Sequence, residues 1–304
     1  MEGLIVDYIK VAEAAAKWGI TPRRVRVLCS EGKIPGAVRS GKLYMIPANA
    51  AKPADGRTNR ATLIMVIDSK KEQLRKMRPL TEGEVERLRE QFMVEFTYNS
   101  NAIEGNTLTL KETSMVLEGM TIDRKPMKDH LEAVGHRDAF MYVQDIATKE
   151  IDLTEGVIKK IHSLVLINRP QDKGVYRAIP VRIMGAYTEP VQPYLIEPKM
   201  TELLAANKER EQTMHIIERI ARFHLEFEGI HPFIDGNGRT GRLILNLDLI
   251  RNGYPPIDVK FTDRKRYYDA FDAYYRDGSA GAMVELIGEY VDKRLDDYLN
   301  ILGR

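Results

Sequence analysis

Apolar residues recur at intervals of three and four along most of the chain, the period of a helix with one buried face. Val85, Leu88, Phe92 and Phe96 mark such a face within a predicted helix from Thr81 to Asn101. Thr109-Leu-Lys-Glu112 has the form of a capping box and opens another. The same spacing predicts helices over Met127–Lys149, Thr154–Asn168, Lys199–Ala206, Thr213–Gly229, Arg239–Asn252 and from Arg264 onward. Tyr176 to Ile196 departs from it: three prolines and two apolar stretches flanking Gly185 predict a β-hairpin. The chain is therefore expected to be mainly α.

The first fifty residues form a separate pattern. An alanine-rich helix, Val11 to Lys17, is followed by a turn at Trp18-Gly19-Ile20. Thr21-Pro22 then opens a second helix, with Thr21 as cap and Pro22 at a position where no N–H is needed. Val25 and Leu28 face inward there, and Arg23, Arg24 and Arg26 do not. Residues 34–46 predict a hairpin turning at Ser40-Gly41, with Arg39 and Lys42 at its tip. Helix, tight turn, basic helix and basic wing resemble the small winged helix-turn-helix units of the MerR and excisionase type. That resemblance implies DNA contact through Arg23, Arg24, Arg26, Arg39 and Lys42; the alternative is a small domain that docks on the larger one. Ala50 to Asn59 has linker composition, so the expected division is 1–54, a linker and connecting helix over 55–79, and a large domain over 80–304.

Charge sharpens this division. Net charge is +2 over 304 residues, but residues 1–60 hold eleven Lys/Arg against five Asp/Glu, leaving −4 for the rest. A basic N-terminal unit suits a polyanion; the remainder need not. A single cysteine, Cys29, excludes an internal disulfide framework. Apolar runs are too short for a membrane span, and MEGLIVDYIK lacks the features of a signal peptide, so cytoplasmic residence without membrane partners is expected.

The chemistry concentrates in Gly229-Ile-His-Pro-Phe-Ile-Asp-Gly-Asn-Gly-Arg-Thr-Gly-Arg242, between two predicted helices. Closely spaced glycines let backbone N–H groups converge on an anion, and the following helix N-terminus adds partial positive charge. Arg239 and Arg242 lie one turn apart, so both guanidinium forks can reach that anion. Asp235 offers a hard oxygen suited to Mg²⁺ held jointly with phosphates. His231 is mostly neutral at neutral pH and can accept a proton. A polyphosphate cradle with a metal and a base reads as a phosphoryl- or nucleotidyl-transfer site.

His231-Pro-Phe-Ile-Asp235-Gly-Asn237-Gly-Arg239-Thr-Gly-Arg242 resembles the full HPFxDGNGRxxR motif of the Fic family, with every defining position filled. The resemblance extends over about residues 80–300 and implies a Fic-type helical bundle with a β-hairpin flap. It implies an AMP transferase that moves AMP from ATP to a Ser, Thr or Tyr hydroxyl of a protein target, itself included, releasing pyrophosphate. His231 would be the base and Asp235 would hold Mg²⁺. Gly236, Asn237, Gly238, Arg239, Gly241 and Arg242 would take the phosphates, and Phe233 would pack inward. Arg182-Ile183-Met184-Gly185 would be the flap edge that pairs with the target backbone. Tyr267-Tyr268 resembles a pair that lies against the nucleoside, although helical spacing equally allows core positions. Tyr275 stands where the family frequently has asparagine.

Ser100-Asn-Ala-Ile-Glu104-Gly105 resembles the family's inhibitory motif, [S/T]xxxE[G/N], in which the glutamate pairs with the second arginine of the loop, here Arg242. At an effective dielectric near 20, a contact pair at 4 Å attracts by about 4 kcal/mol before desolvation, enough to contest that guanidinium with a γ-phosphate. The resemblance implies low basal activity, an inhibitory helix near 81–105 and no separate antitoxin; a homodimer is compatible with such a brake. Residues 36–43 nearly spell a P-loop but lack its Ser/Thr, and the remaining histidines show no zinc spacing. His224, one helical repeat from His231, is expected beneath the loop. Two other readings remain: a DNA-binding regulator whose Fic domain senses nucleotide, and a Fic enzyme transferring a different group.

Overall fold

The structure, a computed structural model, describes residues 7–30, 33–41, 43–52, 56–149, 151–183 and 189–303. It divides into two compact units, Met1–Asn59 and Arg60–Arg304.

The first unit runs β1 (Tyr8–Lys10), α1 (Val11–Trp18), α2 (Pro22–Ser30), β2 (Val38–Ser40) and β3 (Leu43–Pro47). α1 ends at Gly19, whose φ of 64° is one that side chains resist. α2 starts at Pro22 as expected, and the Arg24 N–H donates to the Thr21 hydroxyl oxygen at 3.2 Å. Val11, Ala14, Trp18, Val25, Leu28, Ile34 and Ile46 form its core. β3 pairs antiparallel with both β2 and β1, with Arg39 opposite Tyr44 and Ile9 opposite Ile46. Three residues are too few to show alternation, so β1 carried no sequence signal. Arg23, Arg24, Arg26 and Arg39 are exposed, and Lys42 lies outside the described residues.

The second unit is helical. After α3 (Gly56–Lys76), which begins inside the expected linker, come α4 (Glu82–Ile103), α5 (Leu110–Leu117), α6 (Met127–Ala147) and α7 (Glu155–Val165). α8 (Ile196–Arg210), α9 (Ile216–Ile230), α10 (Asn237–Arg251), α11 (Arg264–Asp277) and α12 (Gly281–Leu302) follow. The predicted C-terminal helix is two, because Gly278 at φ 69° closes α11. α4 is half a core helix: Phe92 and Phe96 are buried, but Val85 is exposed and Leu88 half-buried. Its first turn is held instead by the Thr81–Glu84 capping box and an Arg78–Glu84 pair at 2.7 Å. The α5 box forms as predicted, with Thr109 as cap.

α10 sits at the centre, against α6, α9, α7 and α4. Every residue from Arg239 to Leu249 is buried, and a helix buried all round must satisfy its polar groups internally. Asn246 does so by exchanging two hydrogen bonds with the backbone of Ile257, and Asp248 by pairing with Arg219 at 3.1 Å.

Over the segment 176–196, residues 176–183 and 189–192 form no strand, and the expected turn at Gly185, with Met184, lies outside the described residues. Arg177 organises this segment in place of a ladder: it donates to the carbonyls of Ile179, Val191, Ile230 and His231. Among the described residues no helix is long and apolar enough to cross a membrane.

Candidate functional site

The loop 231–236 joins α9 to α10 and is braced from within. Asn237 clasps Phe233: its Oδ1 accepts the Phe233 N–H and its Nδ2 donates to the Phe233 carbonyl, both at 2.9 Å. One hydrogen bond at each end of its amide is thereby committed to the loop. Phe233 is fully buried, as expected, and stacks on His162 with ring centroids 3.6 Å apart. His162 accepts the Gly174 N–H at Nδ1, so its Nε2 carries the proton that it donates to the Asp235 carbonyl at 2.9 Å. Burial lowers the pKa of His162 to about 4, keeping the ring neutral in this role.

The loop opens at His231, a non-glycine residue held at φ 51°, a conformation that costs energy and clusters at functional sites. Burial, aided by Arg177, lowers its pKa to about 4, so the ring is neutral at pH 7. It closes at Gly236, at φ 76°, which caps α10 two residues earlier than the sequence suggested. The first-turn N–H groups of α10 therefore belong to the motif itself.

Both arginines are buried. Arg239, 1% exposed, donates through Nη2 to Asp235 Oδ1 at 3.2 Å and lies 3.3 Å from Glu132, yet its Nε and Nη1 have no hydrogen-bond partner. Nη1 is the atom that faces Glu132, so Nε is the donor left with neither a hydrogen bond nor a carboxylate beside it, which suits a further anion. Arg242 donates through Nε to the Ser100 hydroxyl at 3.0 Å, and through Nη2 to the Ser100 carbonyl and Glu104 Oε1, both at 2.8 Å. Burial opposes its charge, but the Tyr267 hydroxyl and Glu104 outweigh that, and its pKa is raised. The Glu104 carboxylate lies against the first turn of α10, in the space that a Cβ at Gly238 would take. Burial likewise opposes ionisation of Asp235, but Arg239 and the Gly236 N–H hold its carboxyl below the usual range.

Beside these groups is a cavity of ≈ 330 Å³, whose lining includes Glu104, His231, Gly238, Arg242, Tyr267 and Tyr268. Ile183 reaches it from the expected flap, while Arg182 is exposed. Tyr267 is buried, bonding His224 at 2.6 Å and Arg242 at 3.3 Å, so it is core and wall together; Tyr268 is 40% exposed. Tyr275 spends its hydroxyl on the Leu225 carbonyl at 2.9 Å. His224 is buried beneath the loop, as expected. Gly241 does not line the cavity: a Cβ there would lie 2.8 Å from His224, so it sets the α9–α10 approach. A larger cavity, ≈ 620 Å³, lies elsewhere around Arg219 and Asp248, whose charges satisfy each other.

His162, Arg177, Glu132 and Glu228 surround the loop without sequence signals of their own. Only Glu228, three residues before His231 on a helix, could have been inferred from spacing.

Residues 152–249 match the Fic/DOC family. Over 236 residues the chain is 34% identical to the protein adenylyltransferase Fic of Drosophila yakuba and 33% identical to that of Drosophila melanogaster, covering 77% of this chain. It covers 47% of each, so the chain spans about half the length of the curated relatives it matches. Fic-1 (residues 134–508) from C. elegans shares the fold with a TM-score of 0.72 at 27% identity, over 81% of this chain and 74% of that one. A Fic-domain-containing signaling protein from Bacteroides thetaiotaomicron gives 0.69 at 28%, over 79% and 95%. Residues 152–249 are thus similar to the Fic/DOC family, and the mainly helical fold resembles those of Fic-domain proteins.

Proposed function

We propose that the chain is an autoinhibited protein AMP transferase whose active centre is the 231–242 loop. One observation carries the reading: two buried guanidinium groups flank an anion seat beside a neutral histidine, and a carboxylate from α4 occupies one of them. ATP would place its phosphates on the first turn of α10, with Arg239 and Arg242 at the β and γ positions. His231 takes the proton of a target Ser, Thr or Tyr hydroxyl, the oxygen attacks the α-phosphorus, and the bond to pyrophosphate breaks. Tyr268 and Tyr267 flank the nucleoside, and Arg182 and Ile183 border the target segment.

The donor set fits Mg²⁺. Among the described residues no cluster of three or more His, Cys, Asp or Glu could bind a metal alone, and Asp235 is one half-buried carboxylate beside the anion seat. One carboxylate supplemented by phosphate and water is the usual Mg²⁺ arrangement. The ion would neutralise charge on the phosphates; Asp235 would hold it.

Glu104 and Ser100 supply the brake. While they occupy Arg242, the γ-phosphate lacks its partner and the α-phosphorus is not presented to His231. The exposed Arg23, Arg24, Arg26 and Arg39 support a DNA-binding role for residues 1–54.

The test is incubation of wild type, Glu104→Gly and Glu104→Gly/His231→Ala with Mg²⁺ and α-labelled ATP. Strong self-labelling by Glu104→Gly alone supports base, brake and AMP transfer together. Reaction with γ-labelled ATP or another nucleotide instead changes the transferred group. Silence with every nucleotide favours a nucleotide-sensing regulator.

A further inference from the structure

Glu228 lies one helical turn before His231 on α9, in the cavity wall and 9% exposed. Its carboxyl Oε2 faces His231 Nδ1 at 3.7 Å, and Nδ1 is buried without a hydrogen-bond partner. The other oxygen, Oε1, is also buried and unpartnered, against Gly241. The unpartnered Nδ1 and the carboxyl oxygen Oε2 face each other across slightly more than a hydrogen bond, an uncompleted dyad of a kind that often tightens only when substrate is bound.

We propose that Glu228 is a positioning residue for His231, setting through Nδ1 which ring nitrogen carries the proton. The inference rests on the reading of His231 as the base. An ionised Glu228 accepts the Nδ1 proton, leaving Nε2 bare to take the proton of the target hydroxyl as that oxygen bonds to the α-phosphorus and pyrophosphate leaves. A protonated Glu228 instead donates to Nδ1, which places the ring proton on Nε2, where the base cannot act. The main-chain carbonyl of Glu228 also lies near the ring, so the carboxyl is tested apart from it.

The surroundings make this protonation conditional. Glu104 on α4, Arg242 on α10, Tyr267 and Tyr275 on α11, His224 on its own helix and His231 just past the end of that helix are the titratable groups about it. Burial, reinforced by Glu104, pushes the Glu228 carboxyl up to about 8, while Arg242 acts the other way. Burial is the larger cause, and the Glu104 charge adds to it.

The experiment compares initial labelling rates of Glu104→Gly and Glu104→Gly/Glu228→Gln from pH 5 to 9. Glutamine keeps the volume and cannot ionise. The expected result is a rate that climbs with pH through a Glu228 ionisation in the first enzyme. In the second, the rate falls at least tenfold, that limb disappears, and KM for ATP stays within about twofold. Nitrogen-15 shifts of the His231 ring in the unlabelled proteins should report the tautomer changing with pH, and no longer changing after Glu228→Gln. An unchanged profile, or a profile scaled uniformly with the ring tautomer unmoved, overturns the proposal. Failure of Glu104→Gly itself to label would overturn the AMP-transfer reading, while the ring shifts would still decide the dyad.

Discussion

Replacing Glu104 by glutamine separates the charge of the proposed brake from its shape. The Arg242–Glu104 contact is a charge-assisted hydrogen bond at 2.8 Å, a type that contributes about 1.5–3 kcal/mol. Arg242 is 2% exposed, but the Glu104 side chain is 33% exposed, so solvent screening places the contact near the lower limit, about 1.5 kcal/mol. Glutamine retains an acceptor and loses the charge, keeping roughly half, while glycine loses all. Ser100 still offers Arg242 its hydroxyl and carbonyl in both variants. With tenfold per 1.4 kcal/mol, the productive seat should become about threefold more accessible in Glu104→Gln and about tenfold or more in Glu104→Gly. The assay is the initial rate of α-label incorporation at ATP well below saturation, across 50–500 mM salt. Wild-type silence in Glu104→Gln, with activation instead by Ser100→Ala, would refute the reasoning, because the brake would then rest on the serine clasp.

Three further expectations follow from the packing. In wild type, a Glu228 carboxyl whose folded pKa is raised contributes stability that is full below its unfolded value and lost as pH rises towards about 8. Glu228→Gln should therefore become progressively more stable than wild type from pH 4.5 to 8, by up to about 1.4 kcal/mol per pH unit, in urea titrations; a constant difference would contradict the buried neutral acid. Gly135→Ala would drive a Cβ to 2.5 Å from the Leu164 carbonyl, where α6 meets α7, and should destabilise by about 1–3 kcal/mol in thermal melts, whereas an unchanged melt would mean that α7 can move aside. Arg23→Ala/Arg24→Ala/Arg26→Ala in the full chain should weaken duplex binding and flatten its salt dependence; equal binding by both proteins would remove the DNA assignment for α2.

Much of this architecture is legible in residue order because local rules and packing agree. Thr21-Pro22, Thr81–Glu84 and Thr109–Glu112 each start a helix where their side chains satisfy its free N–H groups. Phe233 is buried where the motif implied. Periodicity failed at Val85 and Leu88, because it reports a face and not whether a neighbour covers it. The hairpin read from the prolines and Gly185 has no strand at 176–183, where the Arg177 side chain bonds the neighbouring carbonyls. His162 and Glu132 were illegible for a different reason. Each meets the loop across more than seventy residues, and no local spacing encodes such a meeting.

The backbone on both sides of Glu104 is tied down. Ser100 to Ile103 are buried, Asn101 accepts the N–H of Asn106, and the Asn106 amide is bonded to Asp129 and Glu132 on α6. Fraying this helix end would break all of those bonds, so rotation of the Glu104 side chain is the least disruptive way to open the contact with Arg242. Such rotations take picoseconds to nanoseconds, far faster than any turnover. Leakage through the proposed brake is then an equilibrium population and not a switching event: labelling by wild type should begin without a lag and proceed at one steady, low rate.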